Sequence, residues 1–252
     1  MSLISKNEIK TIKSLSDKKY RDSCGLFAVE GEKMVDEALH SGFKVERIFR
    51  KEEIGEQAMS RISSFSTPSP VLAVIRKPDH IAISSYGMLD SILSGGGLFM
   101  ALDKIRDPGN LGTIIRICDW FGVKALFASD DTVDVFNPKV VQATMGAIFR
   151  LRFHYTDIGE LCKRVVSGNG RVYGTFLEGE NIYSAGLDNG LESPSLVVIG
   201  NESEGISREI KGLVTDKINI PPYPDGESGS ESLNAAVASA VTIAEFRRRL
   251  CT

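Results

Sequence analysis

The chain has few of the residues that bind metals or form crosslinks. Of its 252 residues, four are cysteine and three are histidine, and the cysteines are scattered without a CxxC pair. A structural zinc site needs such ligands in closely spaced pairs. We therefore expect no metal ion, and we expect Cys24, Cys118, Cys162 and Cys251 to be buried free thiols.

Long apolar segments are also absent. No run of about eighteen or more apolar residues occurs, and the opening residues MSLISKNEIK have no long apolar stretch after their charges. The composition, 42% hydrophobic and 25% charged, is typical of a globular protein with one large core or two smaller ones. We expect a soluble protein of the cytoplasm with no membrane partner.

The common nucleotide-binding fingerprints are missing as well. The sequence contains neither the GxGxxG pattern of dinucleotide-binding folds nor a glycine-rich phosphate loop ending in Gly-Lys-Ser or Gly-Lys-Thr. An unrelated doubly wound enzyme with a nucleotide cofactor therefore remains an alternative with little support.

Positive charge is not in excess, but it is unevenly distributed. The net charge of −3 argues against a uniformly basic nucleic-acid binder, although residues 1–21 hold six lysines and arginines against two acids. Arg247, Arg248 and Arg249 form a second basic cluster. From charge alone, a solvated helix face and a helix C-terminus that suits cations are the simpler interpretations.

Hydrophobic patterning predicts an α/β protein with two domains. Strands at 24–31, 44–50 and 71–78 alternate with helices at 32–42 and 52–64, which indicates a small α/β domain over residues 1–80. Residues 81–95 are rich in serine and glycine, and we interpret them as a linker.

Residues 96–252 form the second predicted domain. Six apolar strands are expected there, at LFMALD, KALFAS, LRFHY, RVYGTF, SLVVIG and DKINI, with helices near 111–122, 138–146, 157–167, 206–213 and 232–250. Continuous apolar strands are typical of a mostly parallel sheet covered on both faces. Ligands of such sheets bind at the carboxyl ends of the strands.

Three polar loops follow predicted strands, at residues 103–116, 200–207 and 221–234. Asn110 and Ser232 or Ser230 are explained simply as helix caps. Asn234 would then lie in the first helical turn, where asparagine has poor propensity. Glu202 could also cap a helix, or its carboxylate could hold a hydroxyl or a neighbouring cation. Arg116 lies among isoleucines at the start of an apolar helix, and a guanidinium is rarely buried there without a partner.

In this order and spacing, the three loops resemble the signature motifs of the SpoU/TrmH family, the ribose 2′-O-methyltransferases of the SPOUT class. Motif one is Asp107-Pro108-Gly109-Asn110-Leu111-Gly112 with Arg116 and Gly122, and motif two is Gly200-Asn201-Glu202-Ser203-Glu204-Gly205-Ile206-Ser207. Motif three is Ile220-Pro221 followed by Glu231-Ser232-Leu233-Asn234. Asn137 to Val141 and Ala143 to Ala147 also match a family segment.

The resemblance implies a C-terminal SPOUT methyltransferase domain with a parallel sheet and a deep trefoil knot. Its implied cofactor is S-adenosylmethionine, and the implied reaction is methylation of a ribose 2′-hydroxyl in ribosomal or transfer RNA. Main-chain groups of Gly200, Ile220 and Leu233 are expected to hold the adenosine. The remaining implied cofactor contacts are Thr175, Ile199, Asn201, Gly205 and Asn234.

The implied catalytic residues are Asn110, Arg116, Glu202, Ser232 and Asn234. Arg116 matches the family's essential arginine, as a general base or as an anchor for an RNA phosphate. The high pKa of guanidinium makes the anchor physically safer. The other four residues would orient Arg116, the ribose and the methionine tail.

Residues 18–39, KKYRDSCGLFAVEGEKMVDEAL, resemble the small substrate-binding domain of many family members, which is related to a group of RNA-binding ribosomal proteins. Glu30-Gly31 is either its characteristic corner or an ordinary strand-to-helix turn. The resemblance implies an RNA partner, with ribosomal RNA favoured over transfer RNA by the two-domain plan. It also implies a homodimer with the last helix near the interface.

One departure supports an alternative function. Residues 222–230 intervene between Ile220-Pro221 and Glu231, and this link is longer than the family pattern. It would form a flap over the cofactor or weaken cofactor binding. The alternative is a non-catalytic RNA-binding or ribosome-assembly protein that retains the knotted fold.

Overall fold

The computed structural model describes residues 4–187, 192–224 and 232–249. The chain divides into two compact units, the first of Met1–Asp79 with Asp134–Arg150, and the second of His80–Val133 with Leu151–Thr252. The helices are α1 (Lys6–Ser14), α2 (Lys18–Cys24), α3 (Glu32–Leu39), α4 (Lys51–Ile54), α5 (Glu56–Ile62), α6 (Tyr86–Leu93), α7 (Pro108–Trp120), α8 (Pro138–Ala143), α9 (Ile158–Ser167), α10 (Arg208–Lys211) and α11 (Ala235–Arg248). The strands are β1 (Leu26–Glu30), β2 (Val45–Arg50), β3 (Val71–Arg76), β4 (Gly97–Leu102), β5 (Leu126–Ala128), β6 (Phe153–Tyr155), β7 (Arg171–Asn181), β8 (Pro194–Ile199) and β9 (Asp216–Asn219).

The first unit contains a three-stranded antiparallel sheet in the order β1-β3-β2. The three strands predicted from the sequence are confirmed. The helix expected at 52–64 is instead two short helices, α4 and α5, because Gly55 between them adopts a left-handed backbone with φ 84°. Residues 1–21 supply α1 and most of α2, and Ser5 and Glu8 form a capping box at the start of α1.

A buried ion pair joins residues 134–150 to the first unit. The side chain of Arg21 is nearly inaccessible, and its Nε and Nη2 donate to Asp134 Oδ2 at 3.1 and 2.5 Å. Its Nη1 donates to the carbonyls of Leu15 and Ser16. Each of the three guanidinium nitrogens therefore donates a hydrogen bond, and one acceptor is a carboxylate, which offsets the cost of burying the charge. The domain limits proposed from the sequence, 1–80 and 96–252, would instead assign this segment to the second domain. Those limits remain a prediction.

The second unit is built on a six-stranded sheet in the order β6-β5-β4-β8-β7-β9, and every pairing in it is parallel. All six residues of β8 are buried, as expected for a sheet covered on both faces. Helix α6 lies within the segment that the sequence suggests as a linker. The predicted parallel α/β architecture is confirmed.

Two helix starts differ from the sequence-based expectation. Helix α7 begins at Pro108, and its cap is Asp107, not Asn110. Helix α11 begins at Ala235, and its cap is Asn234, not a serine. Asn234 therefore precedes the first turn, where its side-chain amide oxygen accepts hydrogen bonds from backbone amides of the helix. Ser230 lies outside the described residues.

The arginine cluster of residues 247–249 is bound to the protein itself. Arg247 donates to the carbonyl oxygens of Phe121 and Gly122, just beyond the C-terminal end of α7, at 2.7 and 2.6 Å. Glu245 accepts hydrogen bonds from Arg248 and Arg249. These contacts support the simpler interpretation of the cluster, as cations near helix C-termini.

No described helix has the length and apolar character needed to cross a membrane. Cys118 and Cys162 are buried free thiols, as expected, and burial raises the pKa of Cys162 to about 12. Cys24 is only half-buried. Cys251 lies outside the described residues. Within the described ranges, no cluster of three or more potential ligands is arranged to hold a metal ion.

Candidate active site

Asn110, Glu202 and Asn234, one from each polar loop, form a chain of hydrogen bonds. Asn110 Nδ2 donates to Glu202 Oε1 at 2.6 Å, and Asn110 Oδ1 accepts from Asn234 Nδ2 at 2.8 Å. Asp107 leaves the Asn110 side chain free for this role, because Asp107 Oδ1 accepts from the Asn110 backbone amide at 2.7 Å. Both ends of the Asn110 amide are therefore fixed by the other two loops.

The Asn234 side chain has two functions. Its Oδ1 accepts from the backbone amides of Ala236 and Val237 at 3.0 and 3.3 Å, which satisfies the first turn of α11. Its Nδ2 points the other way, to Asn110. Helix capping thereby sets the position of a side chain in the candidate site.

The loop after β8 is a tight turn closed at Asn201 and Gly205, whose main chains exchange hydrogen bonds of 3.1 and 2.9 Å. Gly205 has φ 68°, a left-handed conformation that suits glycine. At Gly200, an added Cβ atom would lie 2.2 Å from the main chain of Gly205 and Ile206. The loop can therefore close only with glycine at position 200.

The Asn201 side chain supports this turn from inside. Its Oδ1 accepts from the backbone amides of Ser203 and Glu204, and its Nδ2 donates to the Lys104 carbonyl at 2.9 Å. Asp103, which is buried at the end of β4, accepts from the Ser207 amide at 2.7 Å. The loops after β4 and β8 are thus linked at both ends of motif two.

A cavity of about 830 Å³ opens at the carboxyl ends of β7, β8 and β9. Its volume is in the range of small-molecule sites. Seven of the eight residues expected to contact a cofactor line it: Thr175, Ile199, Gly200, Asn201, Gly205, Ile220 and Leu233. Asn234 does not line it, whereas Glu202 and Ser232 from the catalytic set do. Ser232 is exposed.

Several lining residues had no recognisable sequence signal. Phe176 and Leu177 belong to the second half of β7, where Asn219 Nδ2 donates to both their carbonyls at 2.9 and 2.7 Å. Lys211 and Lys217 place their Nζ atoms 5.4 and 5.6 Å from the centre of the Phe176 ring. These residues come from separate elements, so only the folded sheet brings them together.

Arg116 is exposed on α7, although isoleucines are its neighbours in the sequence. The helix turns Ile114, Ile115 and Cys118 into the core and leaves Arg116 outside. Among the described residues it has no hydrogen bond or ion pair, including none with the Asn110 cluster. As far as the described residues show, its guanidinium is available to bind an external anion.

The loop at residues 222–230 is described only as far as residue 224, and so the expected flap lies largely outside the described residues. Glu231 of motif three lies outside them too.

Comparison with known proteins identifies the family. The SpoU rRNA Methylase family matches residues 97–244, and the MRM3-like substrate binding domain matches residues 6–74. The 23S rRNA (guanosine(2553)-2′-O)-methyltransferase RlmP of Bacillus subtilis is 29% identical over 255 residues, covering 95% of this chain and 96% of that protein. The mitochondrial rRNA methyltransferase 3 of Xenopus tropicalis is 28% identical, covering 96% and 74%.

Solved structures of family members superimpose on nearly the whole chain. A putative RNA methyltransferase of the TrmH family from Porphyromonas gingivalis has a TM-score of 0.85 and 33% identity, covering 98% of this chain and all of that one (100%). An AdoMet-bound rRNA methyltransferase from Sinorhizobium meliloti also has a TM-score of 0.85, with 27% identity and coverage of 100% and 98%. The chain belongs to the SpoU rRNA methylase family.

Proposed function

We propose that the protein transfers a methyl group from S-adenosylmethionine to a ribose 2′-hydroxyl of ribosomal RNA. The observation that carries this proposal is the hydrogen-bond chain Glu202-Asn110-Asn234 beside the 830 Å³ cavity, in a chain of this family. The names of relatives specify ribosomal RNA and 2′-O-methylation, which supports this substrate and this reaction.

The cavity fits S-adenosylmethionine in its chemistry. Apolar surface from Phe176, Ile220 and Leu233 suits the adenine ring, while the carboxylates of Glu202 and Glu204 suit the positive charges of the sulfonium and amino groups. Gly200 lines the cavity, and its main-chain groups would hydrogen-bond to the adenosine. Thr175, Ile199, Asn201 and Gly205 complete the wall that would hold the cofactor.

S-adenosylmethionine supplies a methyl group on a sulfonium, which is electrophilic without a metal. The protein must then align the 2′-hydroxyl with that methyl and assist removal of the hydroxyl proton. Arg116 binds an RNA phosphate next to the target ribose, since guanidinium is a poor base and an excellent phosphate ligand. Glu202, Asn110 and Asn234 hold the ribose and the methionine tail in position, and Ser232 contributes from the cavity wall.

We further propose the trefoil knot that the family resemblance implies. Threading of the C-terminal segment would bring residues 200–205 and 220–233 into one site, and residues from both segments line the same cavity. We also propose a cytoplasmic location, because the relative from Bacillus subtilis acts on ribosomal RNA, which bacteria assemble and use in the cytoplasm.

We propose a homodimer formed through α7 and α11. Trp120 is 84% exposed at the end of α7, and Val237 on α11 is 48% exposed. The two helices pack together, so these apolar side chains belong to one helical layer. Large exposed aromatic residues are typical of protein interfaces.

The function is tested by methyl transfer from labelled S-adenosylmethionine to total RNA from cells that lack the protein, followed by mapping of new 2′-O-methyl sites. We expect label at one ribosomal RNA position, and none with the Asn110→Ala variant as a matched control. Cofactor binding without label on any RNA would contradict the proposal and favour the non-catalytic RNA-binding alternative.

A further inference from the structure

The first unit contains a second cavity, of about 300 Å³, that no signature motif uses. Its walls are largely apolar and include Ile12 of α1, Val29 of β1 and Val141 of α8. Phe65, which is half-buried, lines it as well. The volume lies at the lower end of the range for small-ligand sites.

Glu30 shapes one wall of this cavity. Its carboxylate accepts hydrogen bonds from Ser63 Oγ, from both the backbone amide and the hydroxyl of Ser64 at 3.0 Å, and from the Ser69 amide at 3.3 Å. The segment that carries Phe65 is therefore held in place before any ligand binds. This gives the Glu30-Gly31 corner a positioning role.

Two polar side chains at the cavity remain available to a ligand. Lys13 and Gln142 both line it, and neither side chain has a hydrogen bond or ion pair within the described part of the chain. A glutamine amide offers a donor and an acceptor side by side, which matches the edge of a nucleobase.

A stripe of positive charge runs beside the cavity. Lys6, Lys10 and Lys13 follow at intervals of four and three residues, so they share one face of α1, and all three are exposed. No ion pair is found for any of them among the described residues. Over seven residues a helix rises by about 10 Å. Lys13 belongs to both the stripe and the cavity wall.

We propose that this cavity takes one unpaired base of the substrate RNA. The base stacks on Phe65, its edge meets Gln142, and the flanking phosphates lie on Lys6, Lys10 and Lys13. Recognition of splayed bases by aromatic stacking and amide contacts is how proteins bind single-stranded RNA. The inference rests on the proposed function, since it requires an RNA substrate.

The test is binding of the full chain to ribosomal RNA transcribed in vitro, followed by fluorescence anisotropy over a range of salt. Ala28→Leu fills the cavity from its β1 wall without removing charge. We expect its RNA affinity to fall roughly tenfold or more, as for loss of one stacked base, with an unchanged melting temperature. Lys10→Ala should reduce the slope of log K against log salt by roughly 0.7, and Lys163→Ala on α9 should not.

Transcripts containing 4-thiouridine give an independent readout. We expect photo-crosslinks to the peptides that contain Phe65 and Gln142, and their loss in Ala28→Leu. The cavity proposal is overturned if Ala28→Leu binds and crosslinks as the unaltered protein does. If the proposed function itself fails, the unaltered protein does not methylate ribosomal RNA. The cavity proposal is judged separately, by comparing the binding and crosslinking of Ala28→Leu with those of the unaltered protein, so the two failures are distinct.

Discussion

Asn110 Nδ2 and Glu202 Oε1 lie 2.6 Å apart and connect loops separated by 92 residues of sequence. The contact pairs an amide donor with a carboxylate, which is stronger than a hydrogen bond between neutral groups. Because Asn234 holds the other end of the same amide, a change at Asn110 acts on all three loops.

The Asn110→Asp substitution should place a second carboxylate against Glu202. Repulsion and loss of the donor would displace the loops, and we expect methyl transfer to fall roughly hundredfold. Steady-state methylation of ribosomal RNA measures the effect. The double variant Asn110→Asp with Glu202→Gln restores a donor opposite an acceptor. Partial recovery of methyl transfer in the double variant is expected, and strict additivity would mean that the pair is not coupled.

The Arg116→Ala variant distinguishes the two roles left open by the sequence. A phosphate anchor predicts weaker RNA binding, with the salt slope reduced by roughly 0.7 to 0.9, and unchanged cofactor affinity by calorimetry. A general base predicts unchanged RNA binding and loss of turnover alone. We expect the first result. Arg164→Ala, which removes an arginine that pairs with Asp90 on the surface, is the control and should leave both measurements unaltered.

The Gly200→Ala variant should impair cofactor binding without a change in charge. Its Cβ would overlap the main chain of Gly205 and Ile206, so the turn must open. Overpacking of this kind costs about 1–3 kcal/mol, which corresponds to a roughly five- to 150-fold loss of affinity. Calorimetry with S-adenosylmethionine measures it. Gly186→Ala, where no atom lies within 4 Å of the new Cβ, is the matched control.

The parallel sheet was predictable because its strands are continuous apolar runs and each is followed by a polar loop. The motif residues Asn110, Glu202 and Asn234 were identified from the sequence, but their hydrogen bonds were not, because capping rules alone cannot choose between Asp107 and Asn110 as the first residue of a cap. Exposure of Arg116 was not predicted either. Its neighbours in the sequence are isoleucines, whereas the helical period turns position 116 away from the core.

The contribution of Phe176, Lys211 and Lys217 could not be predicted at all. Their contacts depend on β9 pairing beside β7, and strand order is not encoded in local pattern. The packing of residues 134–150 within the first unit could not be predicted for the same reason. It involves contacts between residues far apart in the sequence, such as the hydrogen bond from Arg21 to Asp134 over 113 residues and the packing of the Phe27 ring against Phe136.

His154 predicts a dependence of stability on pH. Its side chain is buried and donates from Nδ1 to the His80 carbonyl, and desolvation is the main cause that lowers the pKa of His154. The unfolded chain then binds a proton more readily than the folded one. The stability contributed by neutral His154 is complete above the ordinary histidine pKa of 6.5 and is lost as pH falls below it.

Urea unfolding between about pH 5 and about pH 8 measures this effect. We expect the free energy of unfolding to fall toward pH 5, and His154→Asn, which keeps a donor but does not titrate, to show a flatter profile. Equal profiles would contradict the prediction. Glu245 contributes little to the pH dependence in this range. Its pKa is lowered from 4.5 to about 2, chiefly by hydrogen bonds from Arg248, so the stability that it contributes is lost mainly below about pH 5.

Trp120 is the single tryptophan of the chain, so its fluorescence can report whether the proposed dimer forms. Burial at the interface should shift its emission to shorter wavelength as protein concentration rises through the dissociation constant. Trp120→Lys should give a monomer by sedimentation velocity, because a lysine is costly in an apolar interface. Leu39→Lys, at a position 49% exposed in the first unit, is the control and should sediment as the unaltered protein does. A monomer at all concentrations in the unaltered protein, with a constant emission maximum, would remove α7 and α11 as an interface.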